Sequence, residues 1–178
     1  MAVQRYYYSD TITDFLSRND NEIIGKMAWD SQHDINDETK QSWREEIESL
    51  KEVLPPYTGK GSVYFEYNIP RMGSRADVVL LIDGVVLVLE YKTAKRKFTH
   101  SAILQVWDYA LDLKNFHDET HPLPVIPIVV APSESNKHCE IYLKAPYEDG
   151  VFFPLRSNQA KLEECFRNIF VDYEVRLN

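Results

Sequence analysis

Asp83-Gly84 stands between two apolar, β-branched runs, Ala76–Ile82 and Val85–Tyr91. A two-residue type I′ turn needs positive φ at both central positions, and Asp-Gly supplies it. The turn dictates the register: Ile82 faces Val85, and counting outward brings Asp77 opposite Glu90. Cross-strand partners share a face, with Cβ atoms roughly 4.5–5.5 Å apart. Lys92, two residues past Glu90, falls on that face as well. Opposed like charges destabilise a strand pair unless something positive lies between them. The hairpin therefore predicts a divalent-cation site with a lysine beside it.

The rest of the chain can support such a hairpin. Its 178 residues are 44% hydrophobic and 27% charged, enough to bury a core rather than stay disordered. No apolar stretch has spanning length and Met1–Arg5 does not start a signal peptide. The expectation is a soluble, cytoplasmic protein with no membrane partner. Cys139 and Cys165 lack metal-ligand spacing and read as reduced structural residues. A net charge of −8 and a pI of about 5.1 argue against bulk attraction to nucleic acid. A local contact patch is still compatible: Arg71 and Arg75 precede the hairpin strands, and Lys92, Lys95, Arg96 and Lys97 follow them.

Periodicity sets the elements around the hairpin. Asp10 to about Asp30 reads as one helix, Asp30 to Thr39 as a loop, and Gln41 to Leu54 as a second helix stopped by Pro55-Pro56. Ser62 to Ile69 reads as a strand. Thr99 to about Lys114 is a patterned helix, with Ile103, Leu104, Val106, Trp107, Ala110, Leu111 and Leu113 on one arc and Gln105, Asp108, Tyr109 and Asp112 on the other. Val125 to Val130 is a continuous apolar run, as in a strand buried on both faces. Strand, helix, strand predicts a parallel pairing with Val85–Tyr91. Glu140 to Ala145 reads as a further strand and Asn158 to Val171 as a closing helix.

This order gives an α/β fold with a mixed central sheet flanked by helices. One domain is expected over 1–178: an N-terminal helical extension to residue 40, a core over 41–146 and a C-terminal helix over 147–178.

Oxygen ligands from Asp and Glu suit Mg²⁺ or Mn²⁺. An ion held by two carboxylates keeps positions for water and a substrate phosphate, as phosphoryl-transfer sites do. Lys92 could orient an attacking water, lower its pKa, or stabilise negative charge on pentacovalent phosphorus.

At this point the residues resemble a known family. Asp77, Glu90-Tyr91-Lys92, and Gln105-Val-Trp-Asp-Tyr109 on the next helix are similar to the PD-(D/E)XK nuclease superfamily, and within it to the RecB-like branch with its Gln-x-x-x-Tyr motif. Gly73-Ser-Arg-Ala-Asp77 and Glu90-Tyr-Lys-Thr93 fit that branch, and Ala76 stands where the family name has proline. The likeness covers about Ser62 to Val130.

It implies a restriction-endonuclease-like α-β-β-β-α-β core and a Mg²⁺- or Mn²⁺-dependent nuclease acting on DNA rather than RNA. It also implies 5′-phosphate and 3′-hydroxyl products without a covalent intermediate. Asp77 and Glu90 would hold the metal, with the main-chain carbonyl of Tyr91 as a further ligand. Lys92 would be the catalytic lysine, and Gln105 and Tyr109 would face the site. Arg75, Lys95, Arg96 and Lys97 would contact nucleic acid.

Many relatives add an acid from the first core helix. Glu46 fills that place: on a helical wheel it falls between Val53 and Leu50, with Glu45, Glu48 and Glu52 opposite. A carboxylate on an apolar stripe is costly unless paired or metal-bound. Glu66 and, more remotely, His33 are further candidates. The same fold with a silent site, binding nucleic acid or protein, is the alternative. RecB-like domains often sit beside a helicase or ATPase module; this sequence has no Gly-x-x-x-x-Gly-Lys-Ser/Thr, so such a motor would lie on another chain or on a continuation of this one, of which this sequence would be the N-terminal part.

Overall fold

The computed structural model describes residues 4–69, 71–93, 97–144 and 150–177, with side chains through 171. The hairpin organises it. Asp83 and Gly84 have φ of 48° and 78°, as the type I′ turn requires, and Ile82 pairs with Val85. The hairpin strands are β3 (Ser74–Ile82) and β4 (Val85–Tyr91). They lie in a six-stranded sheet with β1 (Tyr8–Thr11), β2 (Gly61–Ile69), β5 (Val125–Val130) and β6 (Leu155–Ser157), ordered β1-β2-β3-β4-β5-β6. The pairs from β1 to β4 are antiparallel; β4–β5 and β5–β6 are parallel. The mixed sheet is thus the expected one, and β5 is parallel to β4.

Helices cover both faces. On one lie α1 (Ile12–Ser17), α2 (Asp20–Ser31), α3 (Asp37–Val53) and α5 (Gln159–Leu177). Their core joins Phe15, Trp43, Leu50 and Phe166 to Phe65, Val78, Leu87 and Tyr91 of the sheet. On the other lies α4 (His100–Phe116), capped by the Thr99 hydroxyl accepting from the Ala102 N–H at 3.1 Å. It packs Ala102, Val106, Tyr109 and Leu113 onto Val79, Val86 and Val88. Every residue of β4 and β5 is buried, so their unbroken apolar runs follow from having helices on both sides. The segment α3-β2-β3-β4-α4-β5 has the expected α-β-β-β-α-β order.

One irregularity positions the site. In a regular strand, residues two apart share a face. Yet Val63 and Phe65 join the core under α3, while Tyr67 and Ile69 join the core under α4. On β3, Val78 and Leu80 lie toward α3 but Ala76 lies toward α4. Phe65 pairs with Val78 and Tyr67 with Ala76; Glu66 and Asp77, between them, are missing from the ladder. Glu66 takes a left-handed φ of 52°, rare for a residue with a Cβ. Both strands therefore turn over together at Glu66 and Asp77.

Several expectations are corrected. Asp10–Asp30 is not one helix: Tyr8–Thr11 is a strand on β2, and α1 and α2 part at Arg18, where the Asn19 side chain accepts from the Asn21 N–H at 2.8 Å and starts a new helix. The helix expected from Gln41 begins at Asp37, because Asn36 caps it by accepting from the Thr39 N–H. Glu140–Lys144 forms no strand. Glu140 makes a lone antiparallel bridge to Arg156, and β6 at Leu155–Ser157 takes the place beside β5. Ala145 lies outside the described residues.

Candidate active site

The carboxylates gather where the strands turn over. The β3–β4 ladder ends at Val78–Leu89, one pair short of Asp77 and Glu90. The Asp77 side chain takes the place of a ladder acceptor: its Oδ2 accepts from the Tyr91 N–H at 2.7 Å. The Asp77 charge acts on the neighbouring Glu90 carboxyl and raises it. Glu90 is only 7% exposed, and its Oε2 has no partner among the described residues. Lys92 Nζ lies 3.8 Å from Glu90 Oε1.

Burial governs the acidity of this group. It pushes Glu90 up to about 9, the Asp77 charge adding and Lys92 opposing. It pushes Asp77 up to about 6 against the Tyr91 N–H and Lys92. Glu66 rises to about 7 through burial and Asp77, although the Trp43 Nε1–H donates to it at 3.2 Å and holds it down.

Glu46, at 3% exposed, is pushed well above the carboxylate range by burial and then by Asp77, Glu66 and Glu90. Its Oε2 is likewise without a partner among the described residues. Asp77, held on the Tyr91 N–H, thus acts on a carboxylate of α3 and on one of β4.

Gln105 and Tyr109 reach the site from α4. Gln105 Nε2 donates to the Tyr109 hydroxyl at 2.6 Å. Burial raises the Tyr109 phenol, with Glu90 and Asp77 adding to the rise and the Ser74 hydroxyl opposing it. Tyr109 is 2% exposed and part of the core, while Leu104 is exposed. The buried arc is therefore rotated from the expected one, toward Ala102, Val106, Tyr109 and Leu113.

Sequence reasoning missed the supports behind the motif. The Tyr91 ring turns to the α3 side, where its hydroxyl meets Ser49 Oγ at 2.9 Å, and Ser49 Oγ donates to Gln159 Oε1 of α5. Ser42 Oγ meets Thr93 Oγ1 at 3.1 Å. These contacts tie the end of β4 to two helices, and small hydroxyl residues on α3 give no sequence signal for them.

The basic candidates are dispersed. Arg75 donates to the Glu66 carbonyl at 2.7 Å and the Gln4 carbonyl at 3.2 Å, and its guanidinium lies 4.3 Å from the Tyr7 ring centre. It thus braces the turned-over part of β2. Lys97 is exposed and lines a groove with Lys137, His138 and Arg156. Lys95 and Arg96 lie outside the described residues. His33 is exposed just after α2.

Among the described residues no group of three or more His, Cys, Asp or Glu is arranged to hold a metal ion. Asp77 and Glu90 form a pair, with Glu46 beside them rather than gathered as a third ligand. A pair fits an ion that keeps most of its shell as water, the habit of Mg²⁺. The unpartnered Oε2 of Glu90 fits it too, because a cation would meet that buried oxygen.

No family model matches the sequence, and no curated protein does. Among solved structures, a repair endonuclease from Pyrococcus abyssi is similar at 27% identity, with a TM-score of 0.36. The match covers 58% of this chain and 42% of that one, so the chain spans less than half of that protein's length. No helix among the described residues is long and apolar enough to cross a membrane.

Proposed function

We propose that this chain is a divalent-metal-dependent nuclease that hydrolyses phosphodiester bonds in DNA. The observation that carries the reading is the buried Asp77–Glu90 pair, with a partnerless Glu90 oxygen and Lys92 Nζ 3.8 Å from its other oxygen. Burying two acids in contact costs stability unless a cation or a proton holds them. A strand end that only met solvent would have no use for them.

Asp77 and Glu90 would hold Mg²⁺ or Mn²⁺, with the Tyr91 carbonyl and Glu46 as further contributors. When bound, the ion would supply Lewis-acid polarisation of a phosphate oxygen and a more acidic water. The chain's own groups do the rest. The Lys92 ammonium orients water or meets the charge that builds on phosphorus. The Gln105–Tyr109 pair braces the Glu90 side of the site. Lys97, with Lys95 and Arg96, contacts flanking phosphates, while Arg75 stays on the Glu66 and Gln4 carbonyls. Attack by water leaves a 5′-phosphate and a 3′-hydroxyl. A helicase or ATPase module would act beside it, on another chain or on a continuation of this one.

Linear and circular DNA, single- and double-stranded, incubated with the protein in Mg²⁺, Mn²⁺ or EDTA tests this. Cleavage with metal, lost in EDTA and in Asp77→Asn, is expected. No cleavage of any substrate would favour the silent binding module, for which the net charge of −8 speaks.

A further inference from the structure

A cavity of about 230 Å³ lies on the α4 side of the sheet, where one water needs only about 10–15 Å³ of such space. Its floor is aliphatic, from Val79, Leu81, Val86 and Leu113, and its walls include Tyr6, Tyr64 and Tyr67. The rings meet edge to face: Tyr6–Tyr64 at 5.5 Å and Tyr64–Tyr67 at 5.9 Å between centres. The Tyr67 hydroxyl and His117 Nε2, 2.9 Å apart, fasten the end of α4 to β2 along one side. Arg5 and Glu119 line it too, and both are exposed.

The cavity shares β2, β3, β4 and α4 with the carboxylates but none of their residues, and lies from them toward the hairpin turn. Tyr67 pairs with Ala76, the neighbour of Asp77. Val79 is two residues along β3 from Asp77, about 7 Å, and Leu113 is about one turn beyond Tyr109 on α4.

We propose that this cavity receives a nucleobase of an unpaired strand, from a nucleotide one or two steps from the cleaved phosphodiester. The proposal rests on the nuclease reading above. Aromatic walls accept the flat face of any base, a sequence-tolerant contact. Arg5 at the mouth donates to base acceptors or to a phosphate, and the Glu119 carboxylate accepts from an exocyclic amine. A base enters such a pocket only when unstacked and unpaired. The preferred substrate is therefore single-stranded, or opened at the point of cleavage.

The test uses single-stranded oligonucleotides carrying 2-aminopurine at successive positions, in EDTA so that nothing is cleaved. Quenching at one position, its loss in the duplex, and weaker binding when that position is made abasic are expected. Tyr64→Leu, which removes a ring, and Leu81→Trp, which fills the cavity, should each raise Kd about tenfold. Both should stay folded and keep the parent's Mn²⁺-induced rise in melting temperature. Abasic strands binding as tightly as intact ones, or both variants binding within twofold of the parent, would overturn the pocket while metal-dependent cleavage still supported the nuclease. Quenching with no cleavage under any metal would keep the base pocket and sink the nuclease reading.

Discussion

Replacing Glu90 by Gln should make the metal-free protein more stable and the metal useless to it. Glu90 has an ordinary value of 4.5 and is pushed up to about 9 by burial and by Asp77. A raised carboxyl contributes fully below its unfolded value and loses that contribution as pH rises through its folded value. Between those limits the folded chain holds a proton that the unfolded chain has released, at 1.36 kcal/mol per pH unit. At about pH 7.5 the cost reaches roughly 4 kcal/mol at most.

Glutamine has the same shape, carries no charge, and its amide can donate to Asp77. Glu90→Gln should therefore gain roughly 2–4 kcal/mol near pH 7.5, or about 5–15 °C in melting temperature for a chain of this size. The gain should vanish as pH falls toward 4.5, the ordinary value. Mn²⁺ at a hundred times its Kd should stabilise the parent by about 2.7 kcal/mol and Glu90→Gln hardly at all. Thermal melts across pH, with and without Mn²⁺, measure all of this. A Glu90→Gln melt no higher than the parent's near pH 7.5, or an undiminished Mn²⁺ shift, would refute the reasoning.

Lys92→Met should lower cleavage about 10²- to 10⁴-fold while the Mn²⁺-induced rise in melting temperature persists; kinetics and melts on one preparation separate the two effects. Glu46→Gln should stabilise the metal-free chain above neutral pH but not at acid pH, since burial and four neighbouring acids raise that carboxyl. A loss in Mn²⁺ affinity alongside would show that it also serves the ion. Gly61→Ala should cost at least about 2 kcal/mol in a urea melt, because its Cβ would lie 1.8 Å from the Leu81 carbonyl oxygen and the strands would have to part.

Much of the site was legible because local chemistry decides it. The Asp-Gly turn sets the register from Ile82–Val85 out to Val78–Leu89, so counting brings Asp77 and Glu90 to the same strand end, although the ladder stops one pair short of them and the Asp77 carboxylate meets the Tyr91 N–H instead. Glu46 stood out as an acid on an apolar stripe, and its depth in the fold agrees.

The turning-over of β2 and β3 was hidden. It depends on a left-handed Glu66, which propensity disfavours and which Trp43 on α3 and Arg75 on β3 hold in place. Tyr109 looked polar by its hydroxyl, yet its ring is core, so the arc of α4 was rotated. Glu140–Lys144 alternates like a strand, but the place beside β5 went to Leu155–Ser157, a choice made by tertiary packing rather than local pattern. Tyr6-Tyr7-Tyr8 did carry an aromatic β signal, masked by the helical period that follows.

Direct binding of Mn²⁺, followed by loss of the free-ion electron paramagnetic resonance signal, tests the central claim most simply. The account predicts saturable binding by the parent that is abolished in Asp77→Asn and in Glu90→Gln and retained in Lys92→Met. Mn²⁺ binding unchanged by loss of either carboxylate, or none by the parent, would contradict it.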